Sequence, residues 1–325
     1  MDRSSGPSQR CAVRRGRVLL PSLVVLCALL TLVAPGVSRR AAVTDVLLVV
    51  DITRSMNVRD MAGESRLEFA RSRLKAWIAG RPCGSRVALG LFTERRSLTL
   101  FEPLEVCADY ASLTGALEGL DWRMAWEGDS LISRGLNHAL SRAAALEAAL
   151  LFVTDGHEAP PLPYEGPTAF RGESPGGVVL GVGGTEPAPI PKFDDLGRED
   201  GFYAAEDLQQ APARFGAPPP DAESRPGYHP RNNPYGEADL EGSEHLSRRQ
   251  DAYLSDLSAA RGLSYLTPEA GPDRIEAALR AAARVPARQM TLSQSLAPLF
   301  GAIGAALLAA LWLASLFPRQ TTRKT

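Results

Sequence analysis

The sequence has little of several things that would announce a function. Among 325 residues the charges nearly cancel, 36 Lys and Arg against 37 Asp and Glu, so nothing points to a nucleic-acid partner. There are four histidines, His138, His157, His229 and His245, and they show no ligand spacing. Zinc, which favours imidazole and thiolate, is therefore disfavoured. No nucleophile stands with a base, and no segment repeats. Of the four cysteines, Cys11 and Cys27 fall at the N-terminal end, leaving Cys83 and Cys107 in the long middle part.

What the chain does have is two uninterrupted apolar runs, 18–37 and 296–317, each of the length needed to cross a hydrocarbon core. Arg10, Arg14, Arg15 and Arg17 precede the first, and Arg39 and Arg40 follow it. Arg319, Arg323 and Lys324 follow the second. Positive charge marks the cytoplasmic side, so the tails 1–17 and 318–325 are expected in the cytoplasm. The residues between the runs are then exported, in a Gram-negative cell to the periplasm. A cleaved secretory signal is the rival reading of 18–37, but no small-x-small site precedes Arg39, which favours an uncleaved anchor. For 296–317 the rival is a buried core helix.

The exported part, 41–290, reads as α/β. "TDVLLVV" (44–50), "ALLFVT" (149–154) and "GVVLGV" (177–182) are continuous apolar runs of strand length, suited to parallel strands covered on both faces. A helix is expected from Arg66, where Ser65 and Glu68 make a capping box and Leu67, Ala70, Leu74, Trp77 and Ile78 recur at helical spacing. Further helices are expected at 110–120, 131–146 and 251–261, and a last one opens at Pro272. Alternating strands and helices predict a mostly parallel sheet. "RVALGLF" (86–92) and "SLTLF" (97–101) predict a hairpin centred near Arg95. Cys83 and Cys107 are equidistant from that centre and would meet at its open end. An oxidising compartment permits their disulfide; two buried free thiols are the alternative. Residues 204–249, rich in proline, predict a long loop or insertion.

Open α/β sheets place their sites at the carboxyl ends of the strands. Asp51 stands just past the first strand in "VVDITRSMN", followed by Thr53 and Ser55, and Asp155 just past another in "LFVTDG". Ser130, in "WEGDSLIS", lies at a loop-to-helix junction, with Asp129 beside it as an alternative ligand. Two carboxylates and three hydroxyls suit a hard cation, Mg²⁺ or Ca²⁺. The bland alternative is a metal-free domain whose polar strand ends are caps and turns. Trp122, Met124 and Trp126 lie on the loop leading to the site, where aromatic anchors serve binding or else pack into the core. Arg54 and His157 are candidates for the same rim, although a surface histidine is the plainer reading of His157.

This pattern resembles the von Willebrand factor A domain and its metal-ion-dependent adhesion site, written D-x-S-x-S, a distant Thr, and a distant Asp in "TDG". Here Thr53 replaces the first Ser, and Ser130 stands where the family has Thr. The resemblance implies a Rossmann-like, doubly wound fold. It also implies a metal that runs no reaction but leaves one coordination position for an acidic side chain of a protein partner. The stretches "DITRSMNVRD", "LFTERR", "FEPLEVC", "LDWRMAW", "FVTDGHEAPP" and "PIPKFDDLGREDGFY" are similar to membrane-anchored A-domain proteins of the Bat (aerotolerance) type. They are more closely similar to those encoded in bacterial methanol-oxidation gene clusters. That second likeness implies a part in maturing periplasmic methanol dehydrogenase, which uses PQQ and calcium. An envelope scaffold without a methanol link, and a metallohydrolase, are the competing readings.

Overall fold

In the computed structural model, residues 21–316 are described, except 34–35, 127, 161, 163–165, 209–215, 218 and 223–243. The chain divides into two compact units, 42–288 and the two ends together.

In the larger unit, β2 (Val46–Asp51), β3 (Arg86–Thr93), β4 (Arg96–Glu105), β5 (Ala149–Thr154), β6 (Gly177–Gly181) and β11 (Ser264–Leu266) form one sheet in the order β11-β6-β5-β2-β3-β4. Every pairing is parallel except β3 with β4, the expected hairpin. All six residues of β2 and of β5 are buried, as their unbroken apolar runs require. Alternate residues of β2 feed opposite cores. Val46, Leu48 and Val50 face α1 (Arg66–Gly80), α2 (Tyr110–Glu118) and α5 (Pro272–Ala282). Leu47 and Val49 face α3 (Ile132–Ala145) and α4 (Asp251–Ala259). The sheet is thus doubly wound, and β2 and β5 flank the point where the strand order reverses.

The capping box starts α1: Ser65 N–H donates to Glu68 Oε2 at 2.8 Å, and Glu68 N–H donates to Ser65 Oγ at 3.2 Å. Cys83 and Cys107 form the expected disulfide at the open end of the hairpin, with Cα atoms 5.2 Å apart. Short strands β7 (Ala188–Pro189), β8 (Pro191–Phe193), β9 (Glu199–Phe202) and β10 (Leu246–Ser247) lie over the carboxyl edge, paired β7 with β10 and β8 with β9. Most of 204–249 lies outside the described residues.

The smaller unit holds a helix over 21–32, strand β1 (Gly36–Val43) paired with β12 (Arg288–Ser295), and α6 (Ala297–Leu316). The run 18–37 is therefore not one helix, because a strand has begun by Gly36. Side chains of α6 are described through Leu313. Among the described residues no helix is long and apolar enough to cross a membrane. The two helices approach where side chains are small: a Cβ on Gly304 would lie 3.4 Å from Cys27, and one on Gly301 3.9 Å from Thr31.

Candidate metal centre

Asp51 is the last residue of β2 and is wholly buried. Its Oδ1 accepts from Thr53 N–H at 2.8 Å, and its Oδ2 accepts from the Thr154 hydroxyl at 2.6 Å. The chain then turns into a single 3-10 turn (Arg54–Asn57), which places the Thr53 and Ser55 hydroxyls 3.3 Å apart, both buried. Asp155 follows β5 and is also wholly buried. Its Oδ1 accepts from His157 N–H at 3.0 Å, and its Oδ2 accepts from Arg66 Nη1 at 2.5 Å and from the Ser247 hydroxyl at 3.0 Å.

Ser130 is pinned by its backbone, donating to Ala159 O at 2.6 Å and accepting from Ala159 N–H at 2.8 Å. The next N–H, of Leu131, donates to Glu94 O at 2.5 Å. Its hydroxyl is buried and has no hydrogen-bond partner. Asp129 next to it is exposed.

A cavity of about 230 Å³ opens over these groups, lined by Thr53, Ser55, Asp129, Ser130, His157 and Tyr203, among others. The two carboxylates, wholly buried, do not line it themselves. Burial, and then repulsion from Asp155, push Asp51 up to about 7. Burial pushes Asp155 up as well, but the Arg66 guanidinium, His157 and the hydrogen bonds from His157 N–H and Ser55 together outweigh it and hold Asp155 below the usual carboxylate range.

Does this set fit the hard cation that the sequence predicts? Among the described residues no three of His, Cys, Asp or Glu come together as ligands. The candidate set differs in kind, being two carboxylates and three hydroxyls. Two observations favour a fit. A buried hydroxyl without a partner costs free energy unless something occupies it, and that of Ser130 faces this case. Burial, and then repulsion from Asp155, raise Asp51, a conflict that a cation removes.

His157 corrects the sequence reading of a surface histidine. It is 8 % exposed, and its Nε2 has no hydrogen-bond partner. Burial lowers its pKa. Trp122 and Trp126 enter neither core. Trp122 stacks on Phe193 with ring centroids 4.7 Å apart. Trp126, 46 % exposed, donates from Nε1 to Glu94 Oε2 at 3.1 Å. Both line a second cavity of about 540 Å³ that shares Arg54, Gly128 and Tyr203 with the first. Arg54 lies 5.2 Å above the Tyr203 ring. Met124 is exposed nearby but lines neither cavity.

Sequence reasoning missed Thr154, Arg66, Asp60 and Ser247. Thr154 stood in view, inside "TDG". No sequence signal pairs Arg66 with Ser247, 181 positions away.

Comparison with solved structures gives matches of low identity. An aerotolerance-related membrane protein from Bacteroides fragilis is 16 % identical, with TM-score 0.45, over 73 % of this chain and 99 % of that one. The conserved hypothetical protein BatB from Bacteroides thetaiotaomicron is 17 % identical, with TM-score 0.45, over 72 % and 94 %. No curated protein matches. In the comparison with family models, residues 46–157 match the von Willebrand factor type A domain, a stretch that spans β2 to β5 and both candidate carboxylates.

Proposed function

We propose that this chain is a membrane-attached, exported A-domain protein that holds a divalent cation, Mg²⁺ or Ca²⁺, and binds an acidic side chain of a protein partner. The observation that carries the reading is the buried, partnerless hydroxyl of Ser130, which lines one cavity with Thr53 and Ser55. The three hydroxyls would hold the ion, and the two carboxylates would balance its charge. When bound, the ion supplies an electrophilic position that a partner carboxylate can fill.

The chain's own residues do the rest. The hydrogen bonds from Thr53 N–H and Thr154 fix the Asp51 carboxylate. Arg54, exposed and held over Tyr203, offers a second charge to an approaching acid. Trp122 and Trp126 offer aromatic contact area in the adjoining cavity, of the kind that dominates binding interfaces. The groups around the cavity pair no nucleophile with a general base, and the reading is therefore of a binding module rather than an enzyme.

The specific role proposed is that of an assembly or maturation factor for PQQ-dependent methanol dehydrogenase, of the MxaL type, acting in calcium insertion. Its support is the resemblance carried by stretches such as "LDWRMAW" and "PIPKFDDLGREDGFY". Membrane attachment is supported by the apolar, uncharged sequence 296–317 with its basic tail. The test is the calcium content and activity of methanol dehydrogenase from cells lacking this gene, complemented with the wild type or with Asp51→Ala. Calcium-poor enzyme restored only by the wild type is the expected result. Restoration by both would mean that the domain acts without its ion. An unaffected enzyme throughout would remove the methanol link and leave an envelope scaffold of the Bat type.

A further inference from the structure

Arg66, the first residue of α1, is 0 % exposed, yet it lines neither cavity and belongs to no expected ligand set. Every nitrogen of its guanidinium is engaged. Nη1 donates to Asp155 Oδ2 at 2.5 Å, to the Ser247 hydroxyl at 2.7 Å and to Ser55 O at 3.4 Å. Nη2 donates to Asp60 Oδ2 at 2.6 Å and to Ser247 O at 3.0 Å. Nε donates to the two Asp60 oxygens at 3.0 and 3.1 Å. The backbone is shaped around it: Gly183 has φ +105°, and a Cβ there would come within 2.5 Å of Nε. A buried ion pair is weak evidence for stability, because desolvation offsets most of the attraction. Its position is the informative feature. The guanidinium bonds both Asp155 and the Ser55 backbone, yet Arg66 does not line the cavity that Ser55 lines. Asp51 has hydrogen bonds but no cationic partner among the described residues.

We propose that Arg66 is a built-in counter-charge that sets the ion affinity of this site low, by neutralising Asp155 through their buried ion pair, so that the bound ion exchanges readily. This inference rests on the ion-binding reading above. Affinity for hard cations is tuned by the charge of the ligand set. With Arg66 in place, two carboxylates present about one net negative charge to the ion rather than two. Asp60 modulates this, because it takes up part of the same guanidinium charge.

The experiment is calorimetric titration of the purified full chain with Ca²⁺ and with Mg²⁺ above pH 7, together with melting with and without chelator. In Arg66→Gln the ion affinity should rise on the order of tenfold, the change expected for one charge in the ligand set. The same variant without ion should melt lower, because Asp155 then lies buried and unpaired. In Asp60→Asn, where Arg66 is left wholly to Asp155, affinity should fall. A merely structural Arg66 predicts the opposite sign for the first variant, since Asp155 would lose its orientation and binding with it. Equal or weaker binding by Arg66→Gln therefore overturns the proposal. If that variant does not fold, Asp60→Asn decides, and unchanged or tighter binding there overturns it. A folded wild type that binds neither ion would instead sink the metal reading itself, and this proposal with it.

Discussion

At the scale of single residues, the two candidate carboxylates show how one sequence element acquires opposite titration behaviour. Asp51 and Asp155 are both wholly buried, but only Asp155 has a guanidinium beside it. Asp51 is pushed up to about 7 from an ordinary value of 3.8. Its folded value lies above its unfolded one, so its contribution to stability is fully present below pH 4 and is lost as pH rises through about 7. Asp155, held low, contributes in the reverse direction. The same proton competes with a cation. Ca²⁺ affinity, measured by calorimetry, should rise by about tenfold per pH unit from pH 5 towards 7 and level off above it, with proton release on binding below 7. In the ion-free protein, Asp51→Asn should flatten the loss of melting temperature between pH 4 and 7. A wild type whose Ca²⁺ affinity is the same at pH 5 and pH 8 would exclude Asp51 from the ion's surroundings. These carboxylates were legible in the sequence because each directly follows an apolar run and a parallel sheet puts such positions at one edge. Arg66 and Ser247 were not legible. Their meeting depends on β10 returning over the sheet after a long proline-rich stretch, and local pattern carries no record of that.

At the scale of elements, the local features were the readable ones. The hairpin and its disulfide followed from symmetry about Arg95, because the two strands are neighbours in sequence and in space. Helix α1 followed from its capping box and its buried stripe. The packing of α3 was not readable, since Gly135 looks like a weak helical position and nothing more. In the structure a Cβ on Gly135 would lie 2.0 Å from the Phe92 ring, so the glycine is what lets α3 close onto β3. Its backbone is helical, so alanine alone would favour the helix by about 1 kcal/mol. Overpacking against a ring typically costs about 1–3 kcal/mol and wins where the neighbour cannot move. Phe92 cannot move far, being 0 % exposed and tilted against Phe152 at 5.6 Å. Gly135→Ala should therefore destabilise the protein by up to about 2 kcal/mol in denaturant unfolding. The Ser97 hydroxyl, which donates to Gly135 O at 2.9 Å, would be disturbed with it. A stabilised variant would show that the helix stands off the sheet further than the structure has it.

At the scale of the whole molecule, the two ends of the chain form their own unit, and its surface is the part least explained by folding alone. The helix over 21–32 exposes Leu23, Val25, Leu26, Leu29 and Leu32, and α6 exposes Leu299, Ile303, Leu308, Trp312 and Leu313. So many large apolar side chains exposed to water mark something that covers them. Among the described residues no helix is long and apolar enough to cross a membrane. The cover must therefore be identified by experiment, and the proposed attachment gives a definite expectation. After alkaline carbonate extraction the full chain should remain with the membrane fraction, and a chain lacking 296–325 should be released in part or whole. The disulfide reports the compartment independently, because Cys83 and Cys107 stay joined only where the surroundings oxidise. Thiol labelling of denatured, unreduced protein from cells should find both blocked. A full chain washed free by carbonate, with its disulfide intact, would place the domain outside the cytoplasm but assign its apolar ends to a protein partner. A chain found with both thiols free would move the whole domain to a reducing compartment and end the periplasmic reading.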